Sequence, residues 1–161
     1  MPQHPLTDTL QATGARFEII DCDPELADTA AFCAHYGYSL DESANLLVVR
    51  GKTGEEKYAA CLVLATCRLD VNHVVRKRLG SRRVSFASPE QTLALTGMAL
   101  GGVTPIGLPD TLPLWVDAAI FDLNQVILGG GDRSSKIIAH PDLLKALPNT
   151  EIVEGLGKLV S

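Results

Sequence analysis

Residues 96–109 read TGMALGGVTPIGLP, with four glycines and two prolines in fourteen positions and mostly apolar neighbours. Surface linkers are usually polar, so this composition asks for a chemical reason. Gly101 and Gly102 have no Cβ and permit backbone shapes and close approaches that other residues block. Pro105 stiffens the downstream end and removes one N–H. Such a loop can offer main-chain N–H and C=O groups to a carbonyl or phosphate oxygen. Val103 and Ile106 would anchor it to a core. An irregular strand crossing or a β-bulge accounts for the same residues equally well.

Other reactive side chains form no familiar constellation. No serine sits in a G-x-S-x-G elbow. Cys22, Cys33, Cys61 and Cys67 contain no C-x-x-C pair. Cys61 lies in an apolar run, where a thiol is unreactive, and nothing places a histidine beside Cys67. Among the cysteines and His4, His35, His73 and His140, only Cys33 and His35 are close in sequence. Their i, i+2 offset suits neither one helix face nor a zinc knuckle, so no metal or cofactor is expected. Buried thiols, kept reduced in a cytoplasmic setting, are the expected state.

These residues need elements to hold them. FEIID at 17–21 reads as a strand. A helix is expected within 24–36, with Asp23 or Asp28 as its cap, Pro24 in the first turn and Gly37 as its stop. ANLLVVRG and YAACLVLA, joined by the polar GKTGEEK, read as a hairpin. Residues 70–79 predict a helix capped by Asp70, with Val71, Val74, Val75 and Leu79 at helical spacing and Gly80 as the end. RRVSFAS predicts a strand, and SPEQTLALTG a helix with Ser88 as cap, Pro89 first and Gln91 three beyond the cap. LPLWVDAAI, NQVILGGG, SKIIAH and EIV read as further strands, with a short helix from Pro141 to Ala146. About seven strands and three or four helices, without regular alternation, predict an α+β fold around a mixed and strongly curved, barrel-like sheet.

At 161 residues the chain is expected to form one domain. A net charge of −5 argues against a generally nucleic-acid-coating protein, DNA included, yet allows a local basic face. Six of the fourteen lysines and arginines lie from Arg68 to Arg83. Arg76, Lys77 and Arg78 also suit the last turn of a helix, so a solvated helix face explains them as well. No apolar run reaches eighteen residues, and MPQHPLTDTL lacks the features of a signal peptide, so no membrane association is expected.

An ordered set of motifs carries a resemblance over roughly residues 24–153. It comprises the hairpin, LD at 69–70 before a helix, the SPE helix, the TG…GG…P loop, LPLWVD, and GGG before a late strand. Together they resemble the YbaK/prolyl-tRNA-synthetase-associated editing domains. The resemblance implies a barrel-like mixed sheet surrounded by helices, and a freestanding hydrolase of the ester that joins a wrong amino acid to tRNA. Synthetase pockets separate amino acids one methylene apart by only ~1–3 kcal/mol, which is why a second sieve is needed. A mischarged tRNA acceptor end, and an aminoacyl-tRNA synthetase, are the implied partners. By the same resemblance Gly101, Gly102, Val103, Thr104 and Pro105 form the substrate loop. Asp117 falls where the family often keeps an acid, and Gly129, Gly130 and Gly131 match its glycine turn. Asp117 also fits a turn-forming or capping role.

The family's lysine, in a K-x-L-V-V context, falls on Asn45. Asn45 can donate and accept hydrogen bonds but carries no charge. Lys136 is expected to supply the cation from an adjoining strand, facing Asn45 across the pocket; an ordinary exposed strand lysine is the alternative. Arg76, Lys77, Arg78, Arg82 and Arg83 are the expected tRNA phosphate contacts. A tRNA-binding module without turnover, and a hydrolase of small esters, remain rival readings.

Overall fold

A computed structural model describes residues 4–54, 56–99 and 102–159. In chain order the elements are α1 (Thr7–Ala12), β1 (Phe17–Asp21), α2 (Thr29–Tyr36), β2 (Ala44–Gly51), β3 (Lys57–Leu64) and β4 (Cys67–Leu69). There follow α3 (Arg76–Leu79), β5 (Val84–Phe86), α4 (Pro89–Thr96), β6 (Leu114–Asp117), β7 (Val126–Gly129), β8 (Ser135–Ala139), β9 (Thr150–Val153) and β10 (Gly157–Leu159).

The strands form three sheets. The largest runs β5-β2-β3-β6-β9, antiparallel from β5 to β3 and parallel from β3 to β9. An antiparallel sheet runs β1-β8-β7, and β4 pairs with β10 as a ribbon. This is a mixed α+β architecture; no closed barrel is found among the described residues. A parallel bridge from Ser43 to Ile127 ties the start of β2 to β7 in the neighbouring sheet.

Alternation along β2 and β3 divides the core. Ala44, Leu46, Ala60 and Leu62 face Val126, Leu128 and Ile137 of the three-stranded sheet. Val49, Ala59, Cys61 and Val63 turn to the other face, where Val75, Leu79 and Trp115 cover them. Phe32 of α2 packs on Ile127 and Ile138, covering the outer face of the three-stranded sheet. Each of these large apolar side chains contributes ~1.5–3 kcal/mol on burial.

The local signals hold where side chains act on their own backbone. Ser88 and Gln91 close a reciprocal capping box at the start of α4, and Gly37, Gly80 and Gly97 take left-handed conformations at helix ends. Other boundaries differ. The 24–36 helix splits into a 3₁₀ turn, Pro24–Leu26, capped by the Asp23 carboxylate, and α2. The 70–79 helix opens as a wide π-type turn, Val71–Val75, before four α-helical residues. LPLWVDAAI is strand only to Asp117, and the helix from Pro141 is 3₁₀. β4, β10 and α1 go beyond the sequence reading. Each is short and draws its stability from partners far along the chain, which no local pattern encodes.

Candidate active-site cavity

A cavity of about 200 Å³ opens at the seam between the two larger sheets. Its walls come from the start of β2 (Ser43–Leu47), the end of β7 (Ile127–Gly129), the start of α2, Lys136 of β8, and Val103. Ser43 C=O accepts from Ala65 N–H at 2.7 Å. Antiparallel alternation therefore turns the main-chain groups of Ala44 and Leu46 away from β3, to the side where β7 approaches.

Lys136 is buried, at 6% exposure. Its ammonium donates to Ala27 C=O at 2.5 Å and lies 5.5 Å from the centre of the Phe32 ring. Burial pushes its pKa down from the usual lysine range; the nearby Cys22 thiol works the other way, and the Arg133 guanidinium adds to the depression. Asn45 enters the same cavity from β2, and its Oδ1 accepts from Thr29 Oγ1 at 2.5 Å. With Oδ1 so engaged, the group Asn45 offers a ligand is its NH₂ donor. A cation and an amide donor on one small, partly apolar cavity can stabilise negative charge that develops on a carbonyl oxygen.

The glycine loop takes a different part from the one its composition suggested. Gly101 lies outside the described residues. Val103 lines the cavity, whereas Gly102, Thr104 and Pro105 are buried behind it. Gly102 N–H donates to Ala99 C=O at 3.1 Å, and Gly102 C=O accepts from Gly131 N–H at 2.7 Å. A Cβ on Gly102 would overlap the Asp132 carbonyl, and one on Gly129 would overlap Val103 C=O. Gly102 is thus committed to interlocking the loop with the glycine turn, and its amide is not the donor that faces a substrate. Gly130, where a Cβ would strike Ser135, and Gly131 line a smaller cleft behind the turn, with Leu6, Met98 and Ile106.

Asp117 also stands away from the cavity. It is buried and accepts from Ala119 N–H at 3.3 Å and Gly157 N–H at 3.1 Å, capping a 3₁₀ turn and fastening β10. Burial pushes its pKa up, with the two amides acting in the opposite direction.

The basic cluster gathers at the far end of β2. Arg76, Lys77 and Arg82 line an open cleft beside α3 with His73 and Ser81. Arg83 C=O accepts from Lys52 N–H, and Arg78 pairs with Glu151 while its guanidinium lies 4.9 Å from the Trp115 ring. From Asn45 to Gly51 the strand runs ~20 Å, which sets the scale of the separation between cavity and cations.

Sequence reading missed Ala27, Thr29 and Phe32, which hold or cover Lys136 and Asn45. Thr29 and Phe32 share a helix face at i, i+3, a spacing visible in the sequence. What was not visible is that this face meets β2 and β8. All four cysteines are free, and Cys61 is pushed up to about 12 by burial, as an unreactive thiol should be. Among the described residues no group of three or more His, Cys, Asp or Glu side chains could hold a metal, and no helix is long and apolar enough to cross a membrane.

Comparison with known proteins places this geometry. The chain is 27% identical over 118 residues to "Proline--tRNA ligase" of Pelobacter propionicus, a match covering 71% of the chain and 19% of the ligase. It is 25% identical over 109 residues to a protein of Enterococcus faecalis named "Putative Cys-tRNA(Pro)/Cys-tRNA(Cys) deacylase", covering 68% of the chain and 64% of that protein. Among solved structures, one titled "Crystal structure of a putative trans-editing enzyme for prolyl tRNA synthetase" superposes with a TM-score of 0.79 at 23% identity, over 98% of this chain and 99% of the other. That last likeness is one of fold. The model of the aminoacyl-tRNA editing domain matches residues 23–147, a span that contains every cavity residue named above, and the chain belongs to that family.

Proposed function

We propose that this protein is an aminoacyl-tRNA deacylase that hydrolyses the ester of mischarged tRNA. The observation that supports this best is the shared cavity of Lys136 and Asn45, walled by Val103 of the glycine loop. An aminoacyl ester is already activated, so holding the acyl group, placing a water and stabilising the oxyanion suffice for its hydrolysis. In this reading the Lys136 ammonium and the Asn45 NH₂ group stabilise the developing charge. Phe32, Val103 and Ile127 bound the space for the amino-acid side chain. Arg76, Lys77, Arg82 and Arg83 take the acceptor-arm phosphates, at the far end of β2 from the chemistry, while Arg78 is engaged by Glu151 and Trp115.

The test is a deacylation panel of mischarged tRNAs that includes alanyl- and cysteinyl-tRNA(Pro). Turnover of at least one, lost in Lys136→Ala, is expected. A panel with no turnover at all would remove the enzyme reading. One observation favours a second reading, a tRNA-binding module without turnover: the Lys136 ammonium already donates to Ala27 C=O. Retention of tRNA without release of amino acid would select it.

A further inference from the structure

We propose a second binding site, in the cleft between α3 and the starts of β3 and β6, that takes an unpaired nucleotide of an RNA strand with its base stacked on Arg78. The cleft holds about 510 Å³ and is lined by Lys57, Tyr58, Arg78, Leu95, Pro113 and Trp115, among others. It lies at the opposite end of the β2–β3 hairpin from the Lys136 cavity.

The geometry of Arg78 carries the inference. Its guanidinium lies 4.9 Å from the centre of the Trp115 ring. Glu151 holds the same guanidinium through an ion pair. The centre of the guanidinium thus sits over the indole, while the side chain stays 34% exposed. A guanidinium fixed in this way is a ready platform for a base, because unstacked bases settle on arginine planes as they do on aromatic rings. Lys57 supplies the anion contact. Its ammonium donates to Leu79 C=O at 3.2 Å, which uses one of its three donors and positions the others at the cleft.

The surrounding charge fits a nucleic-acid strand. Arg50, Lys52 and Lys57 at the hairpin end, together with Arg82 and Arg83 before β5, concentrate cations in a chain of net charge −5. Two of the acids nearby are engaged: Glu56 with Arg50 and Tyr58, and Glu151 with Arg78. An acidic peptide would satisfy the cations but has no flat face for Arg78. The proposed tRNA substrate supplies the source of the strand, and to that extent the site rests on the deacylase reading. The ~20 Å along β2 sets the scale of the separation between this cleft and the Lys136 cavity.

Trp115 is the chain's one tryptophan, so its emission reports on this cleft alone. Titration of the intact protein with the uncharged tetraribonucleotide ACCA is expected to change that emission saturably. Affinity should fall at least tenfold in Arg78→Lys, which keeps the charge and loses the plane, and at least as far in Arg78→Ala. Both variants are checked for wild-type thermal unfolding. An unchanged emission at high oligonucleotide concentration overturns the proposal. So does wild-type affinity in Arg78→Lys, or an equal response to a polyglutamate peptide. The titration involves no turnover. A silent deacylation panel with an intact titration would sink the enzyme reading alone, and the converse result would sink this one alone.

Discussion

Lys136 and Asn45 reach one cavity from different sheets, and both are held by the same three-residue segment. Ala27 C=O accepts from the Lys136 ammonium, and Thr29 Oγ1 donates to Asn45 Oδ1, each at 2.5 Å. The entry to α2 thus sets the positions of both polar groups at once. A change in that segment should act on the pair and not on one member.

Removing the Lys136 ammonium should therefore cost catalysis more than binding. Lys136→Ala is expected to lower kcat on a mischarged tRNA by about 10²–10³, the usual loss for one oxyanion donor. Asn45→Ala should cost less, since a neutral donor forms the weaker bond. Thr29→Val, which frees Asn45 Oδ1, should lower kcat with little change in KM. Single-turnover deacylation separates these effects.

The buried lysine should also leave a signature in stability. Its pKa is lowered in the folded chain, so the unfolded chain binds more protons between that lowered value and the ordinary 10.5. Stability from this group therefore rises as pH climbs through that alkaline window, and the cost of the buried charge is fully present below it. Lys136→Met should raise the urea midpoint at neutral pH and flatten its alkaline rise. A steeper rise in the variant would contradict the assignment.

The interlock of the glycine loop with the glycine turn predicts intolerance to a single methyl group. Gly129→Ala and Gly102→Ala each force a Cβ onto a neighbouring carbonyl. Overpacking of this kind costs about 1–3 kcal/mol, and thermal unfolding should show it as a fall of several degrees. Gly14→Ala serves as the contrast: it meets nothing within 4 Å, although its φ of +73° still carries a backbone cost.

Asp70 should behave as an acid-sensitive fastener. It caps the wide turn through His73 N–H at 3.2 Å and pairs with the Lys158 ammonium at 3.1 Å, joining that turn to β10. Burial works to raise its pKa, but the Lys158 and His73 contacts outweigh it and hold the carboxyl below its ordinary 3.8. Its contribution is present above 3.8 and is lost as pH falls through the depressed value. Asp70→Ala should cost about 1 kcal/mol at neutral pH and lose less on acidification than the wild type.

The N-terminal segment, which precedes the family match, should support the glycine turn. His4 Nδ1 accepts from Leu6 N–H, which leaves Nε2–H to donate to Ser135 Oγ at 2.8 Å; Ser135 in turn donates to Asp132 Oδ1 at 2.9 Å. His4→Ala is expected to cost about 1 kcal/mol and to speed amide hydrogen exchange over residues 129–136. Unaltered exchange there would mean the segment merely lies on the surface.

What the sequence determined by itself was chiefly local. The capping box at Ser88, the glycine stops and the hairpin could be read because a residue and its backbone partner lie within a few positions. The ordered motifs also identified the family, and composition singled out the loop at 96–109. Tertiary structure decided the rest, because it depends on contacts far apart in the chain. Asp117 fitted a pocket acid or a capping residue, and the folded chain makes it the cap of Ala119 N–H and, forty positions on, a fastener for Gly157. Gly102 looked like a ligand-facing amide until the glycine turn came to lie against it. Lys136 could have been an exposed strand lysine, and only the packing of α2 over the sheet seam buries it beside Ala27, on the cavity that Asn45 also lines. No periodicity records such a meeting, since the free energy that fixes it comes from burying surfaces that adjoin only in the folded chain.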